Sequence, residues 1–128
     1  LDRAREESTI SDAVTVAAVR AAEILNAAAI IAYTQSGTTA KRLSVHRPKT
    51  RIVAITPSES IRRRLALWWG IRSVIASEVM DTDSMVNTAG RIAIECGFAA
   101  PGDIVVITSG TPIGMAGTTN LMNIHQIR

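Results

Sequence analysis

Four short runs rich in β-branched residues, Ile30–Tyr33, Ile52–Ile55, Ile71–Ala76 and Ile104–Ile107, alternate with segments of helical periodicity. No other property constrains the fold as tightly. Strands linked by helices need crossovers, and crossovers produce a mostly parallel sheet with helices on both faces. The first helix is predicted over about Ile10–Asn26, where Ile10, Val14, Ala17, Ala21 and Ile24 recur at helical spacing behind a Thr9-x-x-Asp12 capping box. A second runs from about Thr38 to His46 and stops before Pro48. The third has Thr56 as cap, Pro57 at the first helical position, Glu59 completing the box and Gly70 as its stop. The fourth, about Asp83–Cys96, sets Met85, Ala89, Ile92 and Cys96 on one face and ends at Gly97, before a Pro101-Gly-Asp103 turn. Leu121–Ile127 alternates as a fifth strand would and belongs on a sheet edge. It follows a loop rather than a helix, so it is free to run antiparallel. The expectation is an α/β fold in three layers, α/β/α, with a five-stranded, mostly parallel sheet whose last strand is antiparallel.

With 128 residues the chain reads as one domain, 1–128, with enough sequence for a real core. Aromatics make up only 3%, so that core must be built from Ala, Val, Ile and Leu. The net charge is +3, and most basic residues read as scattered. The one cluster, Arg62-Arg63-Arg64, falls on the third helix and reads as a solvated face or subunit contact rather than a nucleic-acid site. Cys96 stands alone, which excludes an internal disulfide and fits a small, buried residue in a reducing compartment. No apolar run reaches membrane-spanning length and no signal-peptide pattern opens the chain. The chain therefore reads as cytosolic and soluble, with no membrane and no nucleic-acid partner.

Two loops share one chemistry. Thr108-Ser-Gly-Thr-Pro-Ile-Gly-Met-Ala-Gly-Thr-Thr-Asn120 follows the strand Ile104–Ile107, and Thr34-Gln-Ser-Gly-Thr-Thr39 follows Ile30–Tyr33. Glycine lets backbone approach a ligand, and hydroxyls and amides supply donors. Both loops fall at the carboxyl ends of strands, where open α/β sheets bind ligands. Thr34, Ser36, Thr38 and Thr39 also sit at the amino end of a predicted helix, where free N–H groups and the dipole favour phosphate. The same residue types cap helices that bind nothing, so composition alone leaves both readings open.

Several chemistries are missing from the sequence. There is no G-x-G-x-x-G, no G-x-x-x-x-G-K-[ST] and no G-x-S-x-G. His46 and His125 have no second ligand at metal spacing; they read as a helix C-terminal residue and a strand residue. Asp81-Thr-Asp83 precedes a helix and reads as capping rather than as a metal site. Trp68-Trp69 reads as a core or interface anchor before a stacking site. No paired carboxylates or activated nucleophile are visible, so no catalytic residue and no metal ligand is assigned.

Taken in order, the segments resemble the carboxy-terminal domain of pyruvate kinase. The resemblance rests on Ile10-Ser-Asp-Ala-Val, Ala21-Ala-Glu-Ile-Leu-Asn-Ala-Ala-Ala29, Thr34-Gln-Ser-Gly37, Arg47-Pro48 and Ile55-Thr-Pro57. It continues in Asp81-Thr-Asp-Ser-Met85, Pro101-Gly-Asp103 and Ser109-Gly-Thr-Pro-Ile-Gly…Gly117-Thr-Thr-Asn120. Each motif is weak alone; their order and spacing span nearly the whole chain. The resemblance implies the regulatory and assembly part of an enzyme that moves phosphoryl from phosphoenolpyruvate to ADP, using magnesium and often potassium. It implies a homotetramer, with catalysis in barrel and lid domains that these residues do not include. The opening at Leu1, without Met, fits a portion of a longer polypeptide.

The resemblance also implies a phosphorylated effector, a sugar phosphate or AMP, with no cofactor in this domain. The Thr-x-Ser-Gly loop would hold one phosphate, which carries over to Thr34, Ser36, Gly37, Thr38 and Thr39. The glycine-rich loop would close over the ligand with Ile113, Gly114, Met115, Ala116, Gly117 and Thr118. Sugar-bisphosphate-activated members add a tryptophan and an arginine for the second phosphate. The corresponding stretch here, Ser77 to Val86, has neither, and position 35 is a neutral Gln. A monophosphate, or no effector, therefore enters as an alternative, and so does a pure assembly module. The helix near Ile10–Asn26 and the strand Leu121–Ile127 are the expected subunit contacts.

Overall fold

The computed structural model describes residues 2–77, 81–109 and 120–128, with side chains from residue 10 onward. Its elements run α1 (Asp2–Leu25), β1 (Ala29–Tyr33), α2 (Thr38–Val45), β2 (Arg51–Thr56), α3 (Glu59–Leu65), β3 (Ile71–Ile75), α4 (Thr82–Glu95), β4 (Ile104–Ser109) and β5 (Leu121–Gln126). The strand order is β3-β2-β1-β4-β5. The β3–β2, β2–β1 and β1–β4 pairs are parallel, and β5 runs antiparallel to β4 with Ser109 opposite Leu121. The expected α/β class, strand count and orientations are all present.

Strand pleating divides the core in two. Ile30, Ala32, Ile52, Ala54 and Val106 face α1, α2 and α3, where Ala18, Ala22, Ala40, Leu43 and Leu65 meet them. Ala29, Ile31, Val53, Ile55, Val105 and Ile107 face α4 through Met85, Ala89, Ile92 and Ala93. Three helices therefore cover one face and one covers the other. Small alanines let the helices lie close to the sheet, while each fully buried Ile or Leu contributes about 1.5–3 kcal/mol.

Several expectations are corrected. α1 starts at Asp2, so Thr9 lies inside the helix rather than at its start. Arg3 to Glu7 are good helix formers and extend it. Nor does α1 bury its large apolar stripe. Ser11, Thr15, Ala18 and Ala22 face the core, with the Thr15 hydroxyl donating to the Ser11 carbonyl at 2.7 Å. Ile10, Ala17 and Ile24 point to solvent, and Ile24 is 76% exposed. The buried side of α1, which packs on β4 and α2, is thus made mainly of small residues, with Val19 the one larger aliphatic among them.

The cap of α3 is Ser58 rather than Thr56. Ser58 Oγ accepts from Ile61 N at 3.3 Å, while buried Thr56 completes β2 and its hydroxyl accepts from Ser58 N at 3.2 Å. Pro57 and Ser58 thus make a turn, and Glu59 binds Arg62 and Arg63 instead of closing a capping box. The helix stops at Leu65, ahead of Gly70, which takes φ +69 to enter β3. Trp68 and Trp69 lie on this exposed turn, so neither is a core residue. Asp81 does cap α4, accepting from Ser84 N at 2.8 Å, His46 is the C-cap of α2, and Cys96 is half-buried at the C-cap of α4.

Candidate functional site

β1 and β4 are neighbours whose onward connections run to opposite sides, β1 to β2 and β4 to β5. Open α/β sheets form a crevice at such a reversal, outside the carboxyl ends of the strands. Thr34 emerges there. Its backbone N–H donates to the Ile55 carbonyl at 3.0 Å, and its buried hydroxyl accepts from Gly37 N at 2.7 Å. That short bond curls Thr34–Gly37 into a tight turn facing the helix that follows.

Gly37 is the N-cap of α2 at φ +88, a left-handed conformation that suits glycine, and makes no side-chain cap bond. A Cβ there would lie 3.2 Å from Leu65 Cδ2, so α3 closes the back of the turn. Ser36 and Thr38 bring their hydroxyls to 2.9 Å, and Thr38 N donates to Ser36 Oγ over a long 3.4 Å. Thr39 is buried. The first turn of α2 holds no acidic residue. The arrangement is a helix amino terminus lined by hydroxyls with no acid in its first turn, which suits an anion.

β4 ends beside this turn. Ala32 pairs with Thr108, and the buried Thr108 hydroxyl donates to the Ile31 carbonyl at 3.4 Å. Asn120 N donates to the Ser109 carbonyl at 3.1 Å, closing the base of the connection to β5. The expected effector loop, Ile113, Gly114, Met115, Ala116, Gly117 and Thr118, lies outside the described residues. Thr34, Ser36, Gly37, Thr38 and Thr39 do come together, as one continuous turn.

Sequence reading missed Tyr33. Strand alternation turns it toward the α4 face, where its hydroxyl donates to the Met85 carbonyl at 2.7 Å. Burial pushes its phenol well above the ordinary tyrosine range, with the Arg91 charge opposing in part. The residue before the cradle is therefore tied to the first turns of α4. The period-two pattern Ala29, Ile31, Tyr33 was the available signal. A separate cleft of about 860 Å³ lies between α4 and β5, lined by Arg91, Ile94, Ile124, His125 and Arg128 among others. Among the described residues no group of three or more His, Cys, Asp or Glu could hold a metal, and no helix is long and apolar enough to cross a membrane.

Fold and crevice define an open-sheet α/β domain with a donor-rich turn at its topological switch point. The sequence signature of the pyruvate kinase alpha/beta domain matches residues 12–125, and the chain belongs to that family. It is 37% identical over 125 residues to the pyruvate kinase of Clostridium acetobutylicum, covering 98% of this chain and 26% of that protein. It is 40% identical over 121 residues to the Staphylococcus epidermidis pyruvate kinase, covering 94% of this chain and 21% of the relative. The Staphylococcus aureus enzyme is 39% identical over the same length. The chain thus spans between a fifth and about a quarter of these relatives.

Proposed function

We propose that this chain is the regulatory and assembly domain of a cytoplasmic, homotetrameric pyruvate kinase, residues 1–128 forming one domain of it. The parent enzyme transfers phosphoryl from phosphoenolpyruvate to ADP, with magnesium and potassium acting in its catalytic domains. A phosphorylated effector, a sugar phosphate or AMP, places one phosphate on Thr34, Ser36, Gly37, Thr38 and Thr39, and residues 113–118 supply the second side of the site. The observation that carries this reading is the glycine-capped amino end of α2, ringed by hydroxyls at the switch point. Each charge-assisted hydrogen bond to a phosphate contributes roughly 1.5–3 kcal/mol, so three to five are needed to reach the roughly 8 kcal/mol of micromolar binding. Effector control follows from differential affinity for two arrangements of the subunits.

The test is a titration of the intact enzyme with fructose 1,6-bisphosphate, AMP and inorganic phosphate, followed by initial rates and by calorimetry. The Thr34→Ala/Ser36→Ala variant is expected to lose the effector response while keeping basal turnover. An unchanged response to every ligand would sink the phosphate assignment.

A second reading, an assembly module without an effector, is favoured by one observation. α1 leaves Ile10, Ala17 and Ile24 uncovered, and Ile124 on edge strand β5 is 49% exposed. These surfaces suit the subunit contacts expected of α1 and β5 under either reading. A saturable calorimetric signal with any of the three ligands eliminates the module-only version.

A further inference from the structure

Two successive residues at the end of β1 are fastened to opposite layers of the molecule. Thr34 serves the α2–α3 side: its hydroxyl accepts from Gly37 N at 2.7 Å, and a Cβ on Gly37 would lie 3.2 Å from Leu65 Cδ2 of α3. Tyr33 serves the other side. It packs against the α4 core, and its hydroxyl donates to the Met85 carbonyl at 2.7 Å. The strand needs a fastening at this point. Its register with β2 sets Tyr33 opposite Ile55, but its register with β4 runs only to Ala32, opposite Thr108. Past Ala32 the ladder holds the chain from the β2 side, and the Tyr33 side chain supplies a second hold.

The residue type suits that task. Ala29 and Ile31, the preceding residues on this face, are apolar and fully buried. A leucine or phenylalanine at position 33 would continue the pattern and fill the same space. A phenol must instead find an acceptor, because a buried hydroxyl without one is costly. The Met85 carbonyl answers it, in the turn of α4 that follows the Asp81 cap. A carbonyl oxygen has two lone pairs, so Met85 can accept from Tyr33 and keep its place in the helix. Burial raises the phenol well above the ordinary tyrosine range, with the Arg91 charge opposing in part, so the donated proton stays in place around neutral pH.

The consequence reaches the cradle because Tyr33 adjoins Thr34 in the chain. A shift of α4 against the sheet carries the Tyr33 hydroxyl with it, and the shared peptide then moves Thr34 Oγ1 relative to Gly37 N. Gly37 caps α2, so the same bond sets the direction of the free N–H groups that open the helix. Coupling of this kind is reciprocal. If α4 positions the turn, an anion held by the turn also steadies α4.

We propose that Tyr33 is the positioning residue of the cradle, tying the Thr34–Thr39 turn to α4 so that anion binding and the placement of α4 control one another. The coupling rests on the phosphate assignment made above; the positioning does not. The test compares amide hydrogen exchange in the intact enzyme, parent against Tyr33→Phe, without and with saturating inorganic phosphate. The variant loses one oxygen and keeps the ring, so its melting temperature should stay close to the parent's. Without phosphate, exchange across residues 34–39 should quicken about fivefold, as loss of one hydrogen bond implies. With phosphate, the parent should slow in residues 34–39 and 84–90, and the variant in 34–39 alone, with phosphate affinity about fivefold lower. Met85→Leu keeps the backbone acceptor and should follow the parent throughout. Unchanged phosphate-free exchange in Tyr33→Phe overturns the positioning role, and so does an equal quickening in Met85→Leu. Phosphate protection of α4 that persists in Tyr33→Phe overturns the coupling. A parent that binds no phosphate removes the phosphate assignment and the coupling together, while the phosphate-free comparison still decides whether Tyr33 positions the turn.

Discussion

The amino ends of α2 and α4 begin from similar sequences and reach opposite electrostatic states. Both helices follow strands of the same sheet, and both open on Ser, Thr and small residues. α4 is closed by its own anion: Asp81 accepts from both the Ser84 amide and its hydroxyl, and Asp83 adds a second carboxylate in the first turn. α2 has neither. Its cap is a glycine, its first turn carries no acid, and its nearby hydroxyls bond to each other or to the turn. A helix that supplies its own negative charge has no use for a ligand's; a helix that withholds one is stabilised by a phosphate. The difference separates a helix end closed by its own carboxylate from one left open to an anion more sharply than composition does.

The sharpest way to break that difference is to give α2 what α4 has. Thr38→Asp places a carboxylate in the first turn, where the dipole favours it, so the melting temperature should hold or rise slightly. Effector affinity should fall by about two powers of ten, roughly 3 kcal/mol of repulsion at a part-exposed site. Calorimetry on the intact enzyme checks this, and an unchanged affinity would place the phosphate elsewhere. Next in size is Thr34→Val. It leaves the buried Gly37 amide without its acceptor, at a cost of about 1–3 kcal/mol, measured by urea unfolding. Asp81→Ala makes the reverse comparison. It should cost about 1 kcal/mol of stability and leave effector binding intact.

The smallest effect concerns Glu59 at the start of α3. Hydrogen bonds from Arg62 hold its carboxyl down at about 2. A depressed carboxyl adds stability above its unfolded value, and that contribution disappears as the pH falls toward 2. Glu59→Gln should therefore melt slightly below the parent at neutral pH, and the two curves should converge in acid. Thermal melts from pH 7 downward test the convergence.

The sheet was legible because β-branched runs bounded by Gly, Pro and Thr have few other solutions. The α1 face was not. A helix that packs against alanines buries small residues and turns Ile10 and Ile24 outward, so apolar periodicity identified the free side as the core side. The Thr56 cap was misassigned for a related reason: either Thr56 or Ser58 can cap, and the β2 ladder claimed the first. The Thr34–Thr39 turn was legible as chemistry, but the Gly37 bond that shapes it was not, since a positive φ leaves no pattern beyond one glycine.

One consequence of the strand order concerns the order in which the molecule can be made. β1 stands at the centre of the finished sheet, yet its partner on one side, β4, lies far along the chain, with Ile31 opposite Ile107. A ribosome releases β1, β2 and β3 long before β4. Until then Ala29-Ile-Ile-Ala32 is an uncovered edge with every side chain apolar. Closing it requires a long-range contact, the slow kind. The central strand of the mature domain is therefore the exposed strand of the nascent one, and residues near Ile107 set when that exposure ends.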